Sequence, residues 1–278
     1  MDFHFNDDKK LLIGLIVYEN TINLLTNEEI REVIKRTSQL EVFLENFKPY
    51  EMMSLPNGQI LVVNSSSISL YDENFKLIRT KEYNILSCTL SDKKEIYAVD
   101  SINHCVYKID LNLNLQMKFG SYGSDNDQQF SSPKSIFWIN DYFYVDDDGN
   151  NRIQIFDLNF DYVDTISKMN YKLDPIKISK KAIGVSKIGG VFFTDLFNPI
   201  EIKKDYVCCG KLNFINSIFY VVSQQNRTLW FFDENGKYLE EINLEILTQN
   251  IEKWQDLFIF CHKKNLFFSV SNCLYKLC

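Results

Sequence analysis

An apolar or aromatic residue followed by aspartate recurs along the chain, and its spacing constrains the fold more than any other feature. The pair closes an apolar run at Asp72, Asp110, Asp157 and Asp233, with separations of 38, 47 and 76 residues. Because 76 is twice 38, a degenerate copy is predicted between the last two, over residues 172–206. Repeats of about 40–50 residues with four short strands each are typical of a β-propeller.

The last copy is short. Residues 258–278 supply three strands, and LEVFLENF at 40–47 is placed to supply the fourth. A ring left open would expose unpaired strand edges, so an N-terminal strand that closes the last blade removes that liability. The sequence therefore predicts an all-β, six-bladed β-propeller of four-stranded antiparallel blades, spanning residues 39–278.

Residues 1–38 precede the repeats and are predicted to be an extension with a short helix. The helix is expected to begin at Thr26 or Asn27, because two glutamates follow and favour the positive end of the helix dipole. The sequence leaves open whether this extension packs on the propeller. Leu11–Tyr18 is too short to span a bilayer, and seven cysteines without a CxxC pair predict reduced thiols. We therefore expect a cytoplasmic protein that is not in a membrane.

Two segments share a more specific pattern. FGSYGS, QFSSPKSI and FYVDDDGNNRIQIFD, within 119–157, combine a glycine turn, a strand led by proline, an Asn-containing turn and an RIxxFD strand. IYAVDSINHCVYKID at 96–110 repeats the later part, with Cys105 where Arg152 stands. Both segments resemble the NHL repeat. The resemblance implies a six-bladed propeller related to the substrate-recognition end of tripartite-motif ubiquitin ligases. The sequence has no RING or B-box cysteine and histidine pattern, so ligase catalysis does not carry over.

Polar residues recur at the turns of the repeat. DDDGNN at 146–151 looks like a metal loop, but it lacks the alternating ligands and the downstream glutamate of an EF-hand. In the register of the repeat Asp147 is equivalent to Asp100, so its carboxylate is predicted to cap the turn and to pair with Arg152. The predicted structural turn residues are Asp100, Asn103, Asp147, Asn150, Arg152, Asp195 and Asn226.

Function is less constrained than fold. Of the three histidines, His4 lies in the N-terminal extension, His104 in a blade turn and His262 at the end of a strand, so one shared site is not expected. No catalytic set, metal site or cofactor site is identified. With 37 acidic against 30 basic residues, the net charge of −7 gives no general attraction to nucleic acid. We therefore expect no enzyme but a non-catalytic protein-interaction scaffold or adaptor, with the partner and the binding face unassigned. An RNA-binding NHL propeller, and a metal-dependent hydrolase or lyase on a propeller, are the alternatives.

Overall fold

The described part of the chain is built almost entirely of strands. The computed structural model describes residues 26–36, 40–91, 93–139, 141–167, 175–178, 182–187, 190–195, 212–215, 218–223, 227–233, 237–245, 258–263, 265–270 and 273–277. One α-helix, Asn27–Arg36, precedes the strands, and one 3-10 turn, Asp148–Asn150, interrupts them.

Within the described residues most strands form six antiparallel sheets, numbered I to VI in chain order, and the short strands Ser121–Tyr122 and Gln129–Phe130 form a separate parallel pair. Sheet I contains Glu51–Ser54, Ile60–Val63, Ser67–Tyr71 and Leu77–Glu82; sheet II contains Ile85–Leu90, Ile96–Asp100, Cys105–Ile109 and Leu115–Phe119; sheet III contains Pro133–Ile139, Tyr142–Asp147, Arg152–Phe156 and Tyr162–Ser167. Sheet IV contains Pro175–Ile178, Ala182–Lys187 and Gly190–Asp195; sheet V contains Leu212–Ile215, Ile218–Ser223, Thr228–Asp233 and Tyr238–Asn243; sheet VI contains Phe258–His262, Asn265–Val270, Cys273–Leu277 and Leu40–Glu45. The prediction of four-stranded antiparallel sheets is confirmed. Residues 196–206, the last part of the predicted degenerate copy, lie outside the described residues.

Sheet VI joins the two ends of the described chain. Leu40–Glu45 pairs antiparallel with Cys273–Leu277, and a bulge interrupts the register between Val42 and Leu44. The ring of Phe43, at this bulge, lies 5.0 Å from the ring of Phe75 in sheet I. The N-terminal strand therefore belongs to the last sheet and also contacts the first.

The repeated aspartates begin turns of one geometry. Oδ1 of Asp72 accepts hydrogen bonds from the N–H groups of Asn74 and Lys76, both at 2.9 Å. Between these donors Phe75 adopts a left-handed φ of 61° and buries its ring against the core. The same bonds and the same buried left-handed residue recur at Asp110 with Leu113 and at Asp157 with Phe160. Aspartate recurs because its short carboxylate bonds backbone N–H groups two to four residues ahead.

Buried apolar side chains fill the spaces between neighbouring sheets. Between sheets II and III the rings of Tyr97 and Phe143 lie 4.2 Å apart, and Phe160 stacks on Phe143 at 4.7 Å. Large aromatic groups bury much apolar surface per residue, and offset ring pairs add a further contribution of about 0.5–1.5 kcal/mol. The high Phe and Tyr content of the chain thus fills the space between its sheets.

The helix begins with a reciprocal pair of hydrogen bonds. Thr26 Oγ1 accepts a bond from the N–H of Glu29 at 3.2 Å, and the Glu29 carboxylate accepts one from the N–H of Thr26 at 2.6 Å. This capping box satisfies two N–H groups that a helix start leaves without partners. Thr26, of the two residues that the sequence offered, is the N-cap.

The helix packs into the core beside sheets V and VI. Ile30 and Ile34 are 0% and 2% exposed and belong to one apolar cluster with side chains of both sheets. Arg31 adds an ion pair, with Nε 2.6 Å from the Glu240 carboxylate, and its guanidinium lies 5.6 Å from the centre of the Phe231 ring. The helix therefore buries its apolar face where two sheets meet.

We expect Ile30→Ala to lower the free energy of unfolding by roughly 2–5 kcal/mol, because it leaves a cavity in this cluster. Ile78→Ala is the matched control, since Ile78 is 49% exposed on sheet I, and should change stability by less than about 0.5 kcal/mol. Urea unfolding of both variants measures the difference. Equal, small losses would show that the helix does not contribute to the core.

Candidate functional site

The turn of sheet II is organised by Asp100, which is 1% exposed. Its Oδ1 accepts hydrogen bonds from the N–H groups of Ile102 at 2.9 Å and Asn103 at 2.7 Å. The side-chain amide of Asn103 donates to Oδ2 at 2.8 Å. The carboxylate is thus held by neutral donors from its own turn.

The turn of sheet III is organised by Asp147, which is fully buried. Its Oδ2 accepts hydrogen bonds from Asn150 Nδ2 and Arg152 Nε, both at 2.8 Å. Gln154 Nε2 donates to the same oxygen at 3.2 Å, and the N–H of Ser131 donates to Oδ1 at 2.6 Å. Charge-assisted hydrogen bonds are stronger than neutral ones, so the Asp147 carboxylate is held more firmly than the Asp100 carboxylate.

The two turns differ at one equivalent position. Strand pairing sets Cys105 opposite Asp100 and Arg152 opposite Asp147. Burial is the main cause that raises the pKa of the Cys105 thiol, which is therefore uncharged at neutral pH. Of these two sheets, only sheet III has a cation, Arg152, across the hairpin from its turn aspartate.

A loop of residues 120–131 connects sheets II and III. Its ends run side by side, because Ser121–Tyr122 pairs in parallel with Gln129–Phe130. Gly120 has a φ of 90°, and a Cβ there would collide with the ring of Phe130. Glycine is therefore required where the loop leaves sheet II.

The turn of sheet III holds this loop in place. The Arg152 guanidinium donates to the backbone carbonyls of Gln129 at 2.9 Å and Asn126 at 3.3 Å. Asn150 Nδ2 also donates to the carbonyl of Gly123 at 2.8 Å. Arg152 and Asn150 thus connect the buried Asp147 to three points along the loop.

The dipeptide Ser131-Ser132 links the two turns. The N–H of Ser131 donates to Asp147 of sheet III, and the N–H of Ser132 donates to His104 Nδ1 of the sheet II turn at 2.9 Å. The His104 ring in turn lies 4.8 Å from the ring of Tyr122 on the loop. One continuous set of contacts therefore fixes both turns and the loop relative to each other.

This arrangement exposes apolar groups to solvent. Tyr122 is 70% exposed although its ring is supported by His104, and Ile102, in the same turn as His104, is 66% exposed. We call Ile102, His104 and Tyr122 the Tyr122 face. Exposed aromatic and aliphatic groups on a fixed backbone can bury apolar area against a partner at little entropic cost.

A polar pocket of about 590 Å³ lies on the loop. It is lined by Gly120, Ser121, Asn126, Asp127, Gln128, Gln129 and Tyr162. These groups offer hydrogen bonds, one carboxylate and one aromatic wall. Ser121 lines this pocket while the ring of its neighbour Tyr122 contacts the ring of His104.

The remaining predicted residues lie elsewhere. Asp195 is the last residue of its strand in sheet IV, opposite Ala182, and its side chain lies outside the described residues. Asn226 also lies outside them. His104 and His262 are in sheets II and VI, and no group of three or more His, Cys, Asp or Glu side chains in the described part of the chain could hold a metal ion.

The two most exposed residues of the Tyr122 face, Ile102 and Tyr122, were not predicted from the sequence. Tyr122 lies between Gly120 and Gly123, and such paired glycines could have indicated a loop with a fixed and unusual backbone. Nothing in the sequence indicated that His104 would contact Tyr122, because their contact depends on how two sheets pack.

No protein-family model matches the chain, and no curated protein matches it. Among solved structures, a catalytically inactive virginiamycin B lyase from Staphylococcus aureus with quinupristin is similar, with a TM-score of 0.56, 10% identity and coverage of 81% of this chain and 78% of that one. A streptogramin B lyase has a TM-score of 0.54 and 14% identity, with coverage of 85% and 96%. A protein of unknown function from Bacteroides caccae has a TM-score of 0.52 and 8% identity, with coverage of 73% and 84%. This chain has a β-propeller fold.

The expectation that the chain is not an enzyme is wrong. It was inferred from the lack of a recognisable catalytic set, whereas two of the similar propellers are lyases. The propeller fold therefore gives no ground for excluding catalysis. At 10% and 14% identity the likeness shows the fold alone.

The helical segment that the structure describes is too short and too polar to cross a bilayer, so no candidate membrane span is found among the described residues.

We expect Asp147→Asn to lower the free energy of unfolding by roughly 2–4 kcal/mol, because it leaves the partly buried Arg152 cation without its carboxylate. Asp148→Asn is the matched control. Asp148 pairs with Lys134 at 2.7 Å where both side chains are about a quarter exposed, so its loss should cost less than about 1 kcal/mol. Denaturant unfolding of both variants tests this, and equal costs would contradict a central role for Asp147.

Proposed function

We propose that this chain is a protein-interaction scaffold and that it binds its partner through the Tyr122 face. The observation that carries this proposal is the combination of 70% exposure at Tyr122 with a ring that is already held by His104. Tyrosine is enriched among the residues that dominate binding energy at protein interfaces. Ile102 extends the exposed apolar surface on the same turn.

The fixed conformation of the loop supports a binding role for its exposed side chains. Ordering a mobile loop during association costs free energy, and a loop that is already fixed avoids that cost. Here the carbonyls of Gly123, Asn126 and Gln129 are each bonded by a side chain of the sheet III turn. The face is therefore presented in one conformation, as loops on a rigid scaffold commonly are in recognition.

The charges around the Tyr122 face favour a protein partner over RNA. Arg152, which holds the loop that carries Tyr122, is engaged by Asp147 and by loop carbonyls, and Lys134 pairs with Asp148. The loop itself carries the exposed carboxylates of Asp125 and Asp127. Binding of an RNA backbone requires free cationic side chains, and the carboxylates of the loop would repel the phosphate groups.

We further propose that the fold is a divergent NHL-like ring of six blades, closed by Leu40–Glu45 and located in the cytoplasm. The pairing of that strand with Cys273–Leu277 supports closure. Cys88, Cys105 and Cys261 are buried and form no disulfide among the described residues, which supports a reducing compartment. The adaptor role beside ubiquitin ligases stays a prediction from the NHL resemblance.

The double variant Ile102→Ala/Tyr122→Ala should lose partners that the unaltered chain retains in affinity capture from native extract, with and without nuclease. Truncating interface anchors commonly weakens binding by about 2 kcal/mol or more, roughly thirtyfold. The matched control is Ile78→Ala/Tyr142→Ala, which removes side chains that are 49% and 39% exposed on other strands.

Partners that survive nuclease, persist with the control and disappear with the Tyr122-face variant are the expected result. Identical partners for all three proteins would overturn the proposed face. Partners that disappear on nuclease treatment would favour the RNA alternative instead.

A further inference from the structure

A buried serine–histidine pair connects sheets I and VI. Ser54 ends the first strand of sheet I, and His262 ends Phe258–His262 of sheet VI. Ser54 Oγ lies 2.8 Å from His262 Nδ1, and the histidine is 3% exposed. Ser54 Oγ also donates to the carbonyl of Cys261 at 3.3 Å. A single side-chain contact thus joins residues that are 208 positions apart.

The other side of the imidazole is apolar. The ring of Phe260 is parallel to it at 6.1 Å, and the ring of Phe75 meets it edge-on at 6.4 Å. Nε2 of His262 is buried and has no hydrogen-bond partner among the described residues. A neutral imidazole can leave this nitrogen as a lone pair at modest cost, whereas a protonated ring would bury an N–H without an acceptor.

We propose that the Ser54–His262 pair is an acid-sensitive latch between sheets I and VI. In the neutral ring Nδ1 shares a hydrogen bond with Ser54 and the joint is closed. Protonation places a positive charge between Phe75 and Phe260, where no group of the described residues accepts a hydrogen bond from Nε2–H. The joint is then held less tightly, and the N-terminal strand Leu40–Glu45, which belongs to sheet VI, is loosened with it.

The charged groups that face His262 are Lys263 on its own strand and Glu73 on the turn of sheet I. These two form an ion pair with each other across the same joint, at the surface. Their effects on the imidazole oppose each other, since Lys263 disfavours its protonation and Glu73 favours it. Ser54, Phe75 and Phe260 carry no charge, so burial decides the balance.

The direction of the pH dependence follows from the difference in the pKa of His262 between the native and the unfolded chain. Burial, reinforced by Lys263, lowers the pKa of His262 below its ordinary value of about 6.5. As pH falls, the unfolded chain takes up this proton before the native chain does. Stability is therefore full above about pH 6.5 and falls below it, until the native ring also protonates. One proton changes the unfolding equilibrium constant by up to about tenfold per pH unit.

His262→Asn tests the latch, because asparagine can keep a hydrogen bond to Ser54 but cannot titrate. The companion variant is Ser54→Ala, which removes the hydroxyl that bonds Nδ1 but keeps the titrating imidazole. Denaturant unfolding of the full chain between about pH 7.5 and about pH 5.5 measures the pH slope. The unaltered chain and Ser54→Ala should share a loss in this window that His262→Asn lacks.

Hydrogen exchange locates the effect. Acid should lower the protection of the amides of Glu51–Ser54 and Phe258–His262, measured relative to the intrinsic exchange rate at each pH, more than that of sheets II and III in the unaltered chain. An unchanged pH slope in His262→Asn, or an equal loss of protection in every sheet, would overturn the latch. If His262→Asn does not fold, titration of the His262 ring in the unaltered chain by NMR decides: an apparent pKa below about 6.5 is expected, and one at or above it overturns the proposal.

Discussion

The buried carboxylate of Asp147 is the contact on which the exposed face depends. It accepts hydrogen bonds from Ser131, Asn150, Arg152 and Gln154. Ser131 is the end of the 120–131 loop, and the other three donors also bond backbone carbonyls of that loop. A buried charge is costly unless it is paired and fully hydrogen-bonded. The hydrogen bonds that satisfy the Asp147 carboxylate therefore also fix the loop. Through Ser132 and His104 they fix the position of Tyr122.

Aspartate has two different roles in this repeat. At Asp72, Asp110 and Asp157 the carboxylate bonds N–H groups of its own turn. At Asp147 the donors come from the turn, from the following strand and from the incoming loop. The local aspartates build the repeated unit, whereas Asp147 joins one unit to the next.

The comparison with solved propellers limits what the fold says about function. Proteins that share this architecture at 8–14% identity include lyases and a protein of unknown function. A propeller scaffold accepts different sites on its loops, so function must be argued from a particular set of side chains. In this chain the best-defined set is the anchored Tyr122 face, and a separate buried pair, Ser54 and His262, makes the joint between sheets I and VI responsive to acid.

The repeat spacing, the strand composition and the turn aspartates were readable from sequence because they act over two to four residues or through strand alternation. That was enough for an all-β propeller of four-stranded antiparallel sheets and for a helix starting at Thr26 or Asn27. The choice of Thr26 as N-cap, the contact of His104 with Tyr122 and the bond from Ser54 to His262 were decided by tertiary structure alone. These contacts join residues of different sheets or depend on one side-chain geometry, and a pattern of residue types carries no information about which distant side chains the packing of sheets will bring together.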